Sequence, residues 1–147
     1  VSASDDHNQQ LMLALRHLRT VIRSRDRAIA ETAHVREGDL NVLEVLHREG
    51  PQSPTALAEL TGTHLATMTG VLTRLERGGW LERRPVVGNR RTIQIHQTSV
   101  ERFEKLYAAV SMRLSEVFGG WSGQKREAFV GAIDEVAAAL GDPPTRV

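Results

Sequence analysis

Between residues 63 and 97 the chain collects side chains that can hydrogen-bond and side chains that carry a permanent positive charge. Leu65, Ala66, Thr67, Thr69, Gly70 and Thr73 alternate at helical spacing with Met68, Val71, Leu72 and Leu75. The second set forms an apolar inner face, which turns the first set outward. Apart from Leu65, those outward residues are small or polar, and no carboxylate precedes Glu76. An ordinary solvated helix carries Glu and Lys there. A helix that enters the major groove of DNA needs small side chains for close approach. Thr hydroxyls then reach phosphates or base edges, and Ala or a Thr methyl can touch a thymine methyl. Arg74, Arg77, Arg83, Arg84, Arg90 and Arg91 follow, opposed by Glu76 and Glu82.

Other chemistry finds less support. The six histidines, His7, His17, His34, His47, His64 and His96, are scattered. No two lie four residues apart, the spacing of a metal-binding helix face. There is no HExxH, no Gly-rich phosphate loop and no GxSxG, so neither an enzyme nor a metal site is expected, and no cofactor. With no cysteine, disulfides, thiolate zinc sites and cysteine redox sensing are excluded together. His64 reads as a helix-start residue near DNA. His17 and His47 read as surface or interface groups, with a pocket role for His17 as an alternative.

The elements that must position the Thr and Arg side chains are punctuated in the sequence. Ser53 before Pro54 starts a short helix, since Ser caps a free N–H and Pro suits the first helical position. Ala56, Leu57 and Leu60 give that helix an inner face, and Gly62 supplies a tight corner. The next helix runs from near Thr63 or His64 to Gly78-Gly79. Trp80, Leu81 and Glu82 begin a strand, Pro85 to Asn89 form a loop turning at Gly88-Asn89, and Thr92 to His96 return. Helix, turn, helix, strand, loop and strand in that order describe a winged helix-turn-helix. Alternation on the return strand puts Arg91 beside Ile93, so that Arg91 braces the wing while Arg90 leaves its tip.

Flanking helices extend the unit at both ends. Leu11, Leu15, Leu18 and Ile22 make one stripe between about Asn8 and Ala30, beside a basic cluster, Arg16, Arg19, Arg23, Arg25 and Arg27. A helix from Glu37 to Arg48 buries Leu40, Val42, Leu43 and Leu46 and ends at Gly50-Pro51. Thr98 and Glu101 have capping-box spacing before Val100, Phe103, Leu106, Tyr107, Val110, Leu114, Val117 and Phe118. Ser122 can cap a last helix with Phe129, Ile133, Val136 and Leu140. Gly141, Asp142, Pro143 and Pro144 read as a loose tail. The terminal stripes exceed what one small reading unit can cover, which calls for a second copy of the chain.

Bulk properties agree. At 147 residues, with 40% hydrophobic and 25% charged side chains, the chain can bury a core and is neither disordered nor membrane-spanning. Its net charge of +1 hides the local Arg clusters. The polar, acidic start is unlike a secretory signal, and a cytoplasmic location is expected. The missing initiator Met reads as trimming.

The motifs LAELTGTHLATMTGVLTRLERGGWLER and GNRR, with the strand that follows, resemble the MarR-type transcriptional regulators along almost the whole chain. Matching positions are Leu57, Ala58, Glu59, Gly62, Thr67, Thr69, Arg74, Leu75, Glu76, Gly78 and Gly79. Asn89 stands where the family's wing usually has Asp, before Arg90 and Arg91. Gly70 stands where many members carry a basic or larger residue.

The resemblance implies a mainly α (α+β) fold: a winged helix-turn-helix at 37–98 between dimerisation helices at 1–36 and 99–147. It implies a homodimer on double-stranded DNA with a palindromic operator, repressor more than activator. It also leaves room for a small lipophilic or anionic effector. The expected DNA-binding residues are Ser53, Thr55, His64, Ala66, Thr67, Thr69, Thr73, Arg74, Arg83, Arg84, Asn89, Arg90 and Arg91. The expected dimerisation residues are Leu11, Leu15, Leu18, Ile22, Leu114, Phe118, Phe129, Ile133, Val136 and Leu140. A protein-interaction module that has lost DNA binding is the alternative, against which the four wing arginines argue.

Overall fold

In the computed structural model, residues 2–141 are described. They form α1 (Ala3–Ala33), α2 (Glu37–Glu49), α3 (Pro54–Thr61), α4 (Leu65–Arg77), β1 (Leu81–Val86), β2 (Asn89–Gln97), α5 (Val100–Gly119) and α6 (Gly123–Gly141). The chain clusters into two units, one ending at Leu106 and the other beginning at Tyr107. Of the tail read from the sequence, Asp142, Pro143 and Pro144 lie outside the described residues, while Gly141 closes α6.

The first unit is built around α2 and α4. Leu40, Leu43, Leu57, Met68, Leu72, Leu75, Leu81 and Ile95 are almost fully buried, so three helices and the hairpin share one core. Truncating a buried leucine such as Leu43 to Ala costs about 2–5 kcal/mol, because transfer and cavity terms add. The α3–α4 corner forms as its residues dictate. Ser53 Oγ accepts the Ala56 N–H at 3.1 Å. Gly62, at φ 64°, donates its N–H to the carbonyls of α3's last turn. An L side chain rarely adopts that left-handed conformation, and Gly does so without steric cost.

β1 and β2 pair antiparallel from Leu81 opposite Gln97 to Pro85 opposite Ile93. Gln52, in the α2–α3 link, adds a bridge on the far edge of β2: its N–H donates to the Ile95 carbonyl at 3.2 Å and its carbonyl accepts from Ile95 N–H at 2.7 Å. The hairpin is thereby tied to the start of α3.

Several details differ from expectation. α1 starts five residues before Asn8, because Ser2 and Asp5 form a reciprocal capping box. Leu60 is 50% exposed, and Leu57 with Ala58 forms the buried face of α3 instead. Ser99, not Thr98, caps α5: its Oγ accepts the Arg102 N–H at 3.1 Å. Thr98 is used one step earlier, donating its hydroxyl to the Gly79 carbonyl at 2.5 Å. The wing turns at Val87-Gly88 rather than Gly88-Asn89, with Gly88 at φ 85° and Val86 paired with Asn89. Gly takes the turn position that demands positive φ, which leaves Asn89 free to start the return strand.

In the second unit, Trp121 packs edge-on to both Phe118 of α5 and Phe129 of α6, with ring centroids 5.1 Å apart in each pair. Ser122 Oγ accepts the Lys125 N–H at 3.1 Å and caps α6. Nothing in α6 is buried.

Candidate nucleic-acid interface

α4 buries Met68, Val71, Leu72 and Leu75 and presents the opposite side. Leu65, Ala66, Thr67 and Thr69 are exposed, and Gly70 and Thr73 are half-exposed. The Thr69 hydroxyl donates to the Leu65 carbonyl at 3.1 Å, and the Thr73 hydroxyl to the Thr69 carbonyl at 2.9 Å. Their methyls and spare lone pairs face outward. Among the described residues nothing takes the Thr67 hydroxyl, so that group remains available as a donor. His64 is the N-cap, exposed, with no side-chain capping bond. Thr55 is exposed on the first turn of α3, whereas the Ser53 hydroxyl oxygen is occupied by its cap.

The arginines fall into two groups. Three are held within the fold. Arg74 lies against Asp39 of α2, with Nε to Oδ2 and Nη2 to Oδ1 both at 3.0 Å. The Asp39 side chain is only 5% exposed. Hydrogen bonding to Asp39 raises the Arg74 pKa above its ordinary value. Arg83 pairs with Glu76 at 2.8 Å. Arg84 pairs with Glu82, and its Nη1 approaches His96 Nδ1 at 3.4 Å.

Arg77, Arg90 and Arg91 are exposed, and among the described residues no side chain pairs with them. Arg91 therefore does not brace the wing. Asn89 does: its Oδ1 accepts the Arg91 N–H at 3.1 Å. The register shift after Pro85 also breaks the alternation on which the Arg91 assignment rested.

Arg77 is absent from the residues expected at the interface. Its signal was present, because Ala66, Gly70, Thr73 and Arg77 follow the i, i+4, i+7, i+11 spacing of one helix face. The strip of small residues on α4 thus ends in an unpaired cation.

Behind α4 lies a cleft of about 330 Å³, lined by His34, Val35, Arg36, Asp39, Arg74, Leu75, Gly78 and Trp80. Arg102 stacks on Trp80, 3.6 Å from the ring centroid, and donates to the Gly78 carbonyl at 3.0 Å. Among the described residues no group of acidic, His or Cys side chains could hold a metal ion.

The expected dimerisation residues lie on open apolar faces. Leu11 is 69% exposed and Ile22 50%, on α1. Ile133 is 47% exposed on α6, where Phe129, Val136 and Leu140 are also exposed, as is Leu114 on α5. Leu15 and Leu18 are exposed as well, while Phe118 is half-buried in its aromatic cluster.

A helix-turn-helix with a two-stranded wing and long terminal helices defines the class as a winged helix-turn-helix protein. Residues 36–93 match the model described as MarR family. The chain is 35% identical over 63 residues to the HTH-type transcriptional regulator PecS of Dickeya dadantii (strain 3937), covering 41% of this chain and 38% of that one. It is 29% identical over 108 residues to the HTH-type transcriptional repressor YetL of Bacillus subtilis (strain 168), covering 71% and 65%. The matched regions thus span less than two thirds of these relatives. A MarR family protein from Bacillus stearothermophilus superposes with a TM-score of 0.75 at 18% identity, over 96% of this chain and 100% of that one. The relatives' names are those of transcriptional regulators, not of enzymes.

Proposed function

We propose that the chain is a DNA-binding transcriptional regulator that acts as a homodimer, with α4 in the major groove and the wing beside it. The observation that carries this is the face of α4: small and Thr side chains with no carboxylate, ending in unpaired Arg77 and flanked by unpaired Arg90 and Arg91. Phosphate contacts from such cations position a protein, and base-edge contacts from the helix specify the site. The exposed stripes of α1, α5 and α6 support the homodimer, whose two-fold symmetry matches a palindromic operator. On this reading 1–36 and 99–147 are the dimerisation segments, 37–98 is the reading domain, and the location is cytoplasmic. Among the described residues no helix is long and apolar enough to cross a membrane.

Repression is the direction favoured, and the relative YetL is named a repressor. A small lipophilic or anionic effector completes the reading, with the cleft beside Trp80 and Arg36 as one place of suitable size.

The test is a mobility shift on DNA from upstream of the protein's own gene, with random competitor, at two salt concentrations. Retention of the upstream fragment against excess competitor is expected. No shift at about 50 mM salt, where phosphate contacts are strongest, would refute the reading. It would leave a protein-interaction module. Light scattering that gives the mass of one chain at micromolar concentration would refute the homodimer.

A further inference from the structure

Of the arginines around the reading face, Arg74 alone is neutralised by a carboxylate from a distant helix. Asp39 lies 35 residues away and is 3% exposed. Its two oxygens take Nε and Nη2, a bidentate side-on arrangement that fixes the guanidinium plane. The third nitrogen, Nη1, lies beside Gly70, 3.5 Å from where a Cβ would stand there. The Arg74 side chain is still 38% exposed, so its cation sits at the edge of the strip formed by Ala66, Gly70, Thr73 and Arg77. A free guanidinium at that point would be attracted to any phosphate, whatever the base sequence. Burying a carboxylate under it is costly in desolvation and makes a weak case for stability alone.

We propose that Asp39 is a specificity-determining residue, one that withholds the Arg74 cation from the DNA backbone and so keeps random-sequence binding weak. The proposal rests on the reading that α4 enters DNA. With Arg74 held back, the reading face offers three cations unpaired among the described residues, Arg77, Arg90 and Arg91, and leaves discrimination to the uncharged strip. Asp39 touches no DNA in this account and acts through Arg74.

The experiment compares wild type with Asp39→Asn on the operator and on a random duplex of equal length, across a salt series. Asn keeps the shape but carries no charge and one acceptor oxygen in place of two, its amide NH2 facing a guanidinium N–H, so the released Arg74 can reach solvent. The salt slope of Asp39→Asn on random DNA should steepen by about 0.9 per protomer, with affinity there rising on the order of tenfold per protomer near 0.1 M salt. Operator affinity should rise less, so the ratio of the two falls. Unchanged slopes on both duplexes, with the fold intact by circular dichroism, overturn the proposal.

If Asp39→Asn does not fold, the double variant Asp39→Asn/Arg74→Gln replaces it with a neutral hydrogen-bonding pair. Its random-DNA slope should equal wild type. A slope shallower by about 0.9 per protomer would show that Arg74 already contacts phosphate in the native protein, which also overturns the proposal. Wild type that binds neither duplex at low salt would instead defeat the DNA-binding reading, an outcome separate from these.

Discussion

Arg77→Ala separates pairing within the fold from charge offered to DNA. Arg77 is exposed, has no partner among the described residues, and continues the line of Ala66, Gly70 and Thr73. Each neutralised phosphate contributes about 0.9 to the slope of log affinity against log salt, so the three unpaired arginines beside each α4 strip would give two copies of the chain a slope of about 5.4. Between 50 and 200 mM salt that slope corresponds to about a thousandfold loss of affinity. Removing Arg77 from both protomers lowers the slope to about 3.6, and the loss across the same interval falls to about a hundredfold. Fluorescence anisotropy on a labelled operator and on a random duplex would measure both, and the change in slope should be the same on each.

The matched control is the double variant Glu76→Gln/Arg83→Gln, which removes a pair held at 2.8 Å and leaves the local charge unchanged. Its slope should stay at the wild-type value. Arg77→Ala and wild type giving parallel lines would take Arg77 off the interface. An equal change in the control would show that pairing within the fold does not decide which arginines reach phosphate.

Further outcomes follow from the same structure. Thr67→Ala should weaken operator binding by about 1–3 kcal/mol with little effect on random DNA, while Thr69→Ser should lose less, because it removes only a methyl and keeps the hydroxyl that donates to the Leu65 carbonyl; competition titrations would measure both. Ile133→Asp places a charge on the open α6 stripe and should raise the dimer dissociation constant at least tenfold, read by sedimentation. Gly70→Ala should stabilise the fold by about 0.5–1 kcal/mol in urea unfolding, since a Cβ there meets only ordinary contact with Arg74. Burial, then the charges of Glu44 and Glu37, raise the Asp26 pKa above 3.8. The folded state therefore holds that proton more tightly than the unfolded chain, and stability falls as pH rises from about 3.8 through the raised value. Asp26→Asn should accordingly raise Tm at pH 7, with the gain gone near pH 3.

Local chemistry was legible before the structure because it rests on near neighbours. Ser53 with Pro54, Gly62 at its corner and the 68-71-72-75 inner face of α4 depend on spacings of three or four residues, and each formed as read. Errors arose where two local solutions competed. Thr98 and Ser99 could each cap α5, and the choice followed from Gly79, whose carbonyl takes the Thr98 hydroxyl. Val87-Gly88 and Gly88-Asn89 could each turn the wing, and the pairing of Val86 with Asn89 decided between them. Leu60 fits the inner spacing of α3 yet stays half-exposed, because a helix of eight residues has room for only one buried turn against α2 and α4.

The site shows the same limit more sharply. Six arginines between residues 74 and 91 were visible as a cluster, and net charge gave no guide to which would act. Their roles depend on where carboxylates arrive. Glu82 and Glu76 lie two and seven residues from their partners, close enough to suspect. Asp39 lies 35 residues from Arg74, and only the packing of α2 against α4 brings them together. Once these three acids are placed, three guanidiniums are satisfied and three are not. The unsatisfied ones stand at the end of α4 and beyond the turn of the wing, the two positions that flank the strip of small residues. The charge pattern that the DNA-binding reading needs is thus made by subtraction, through the carboxylates of Asp39, Glu76 and Glu82 that pair three of the six arginines.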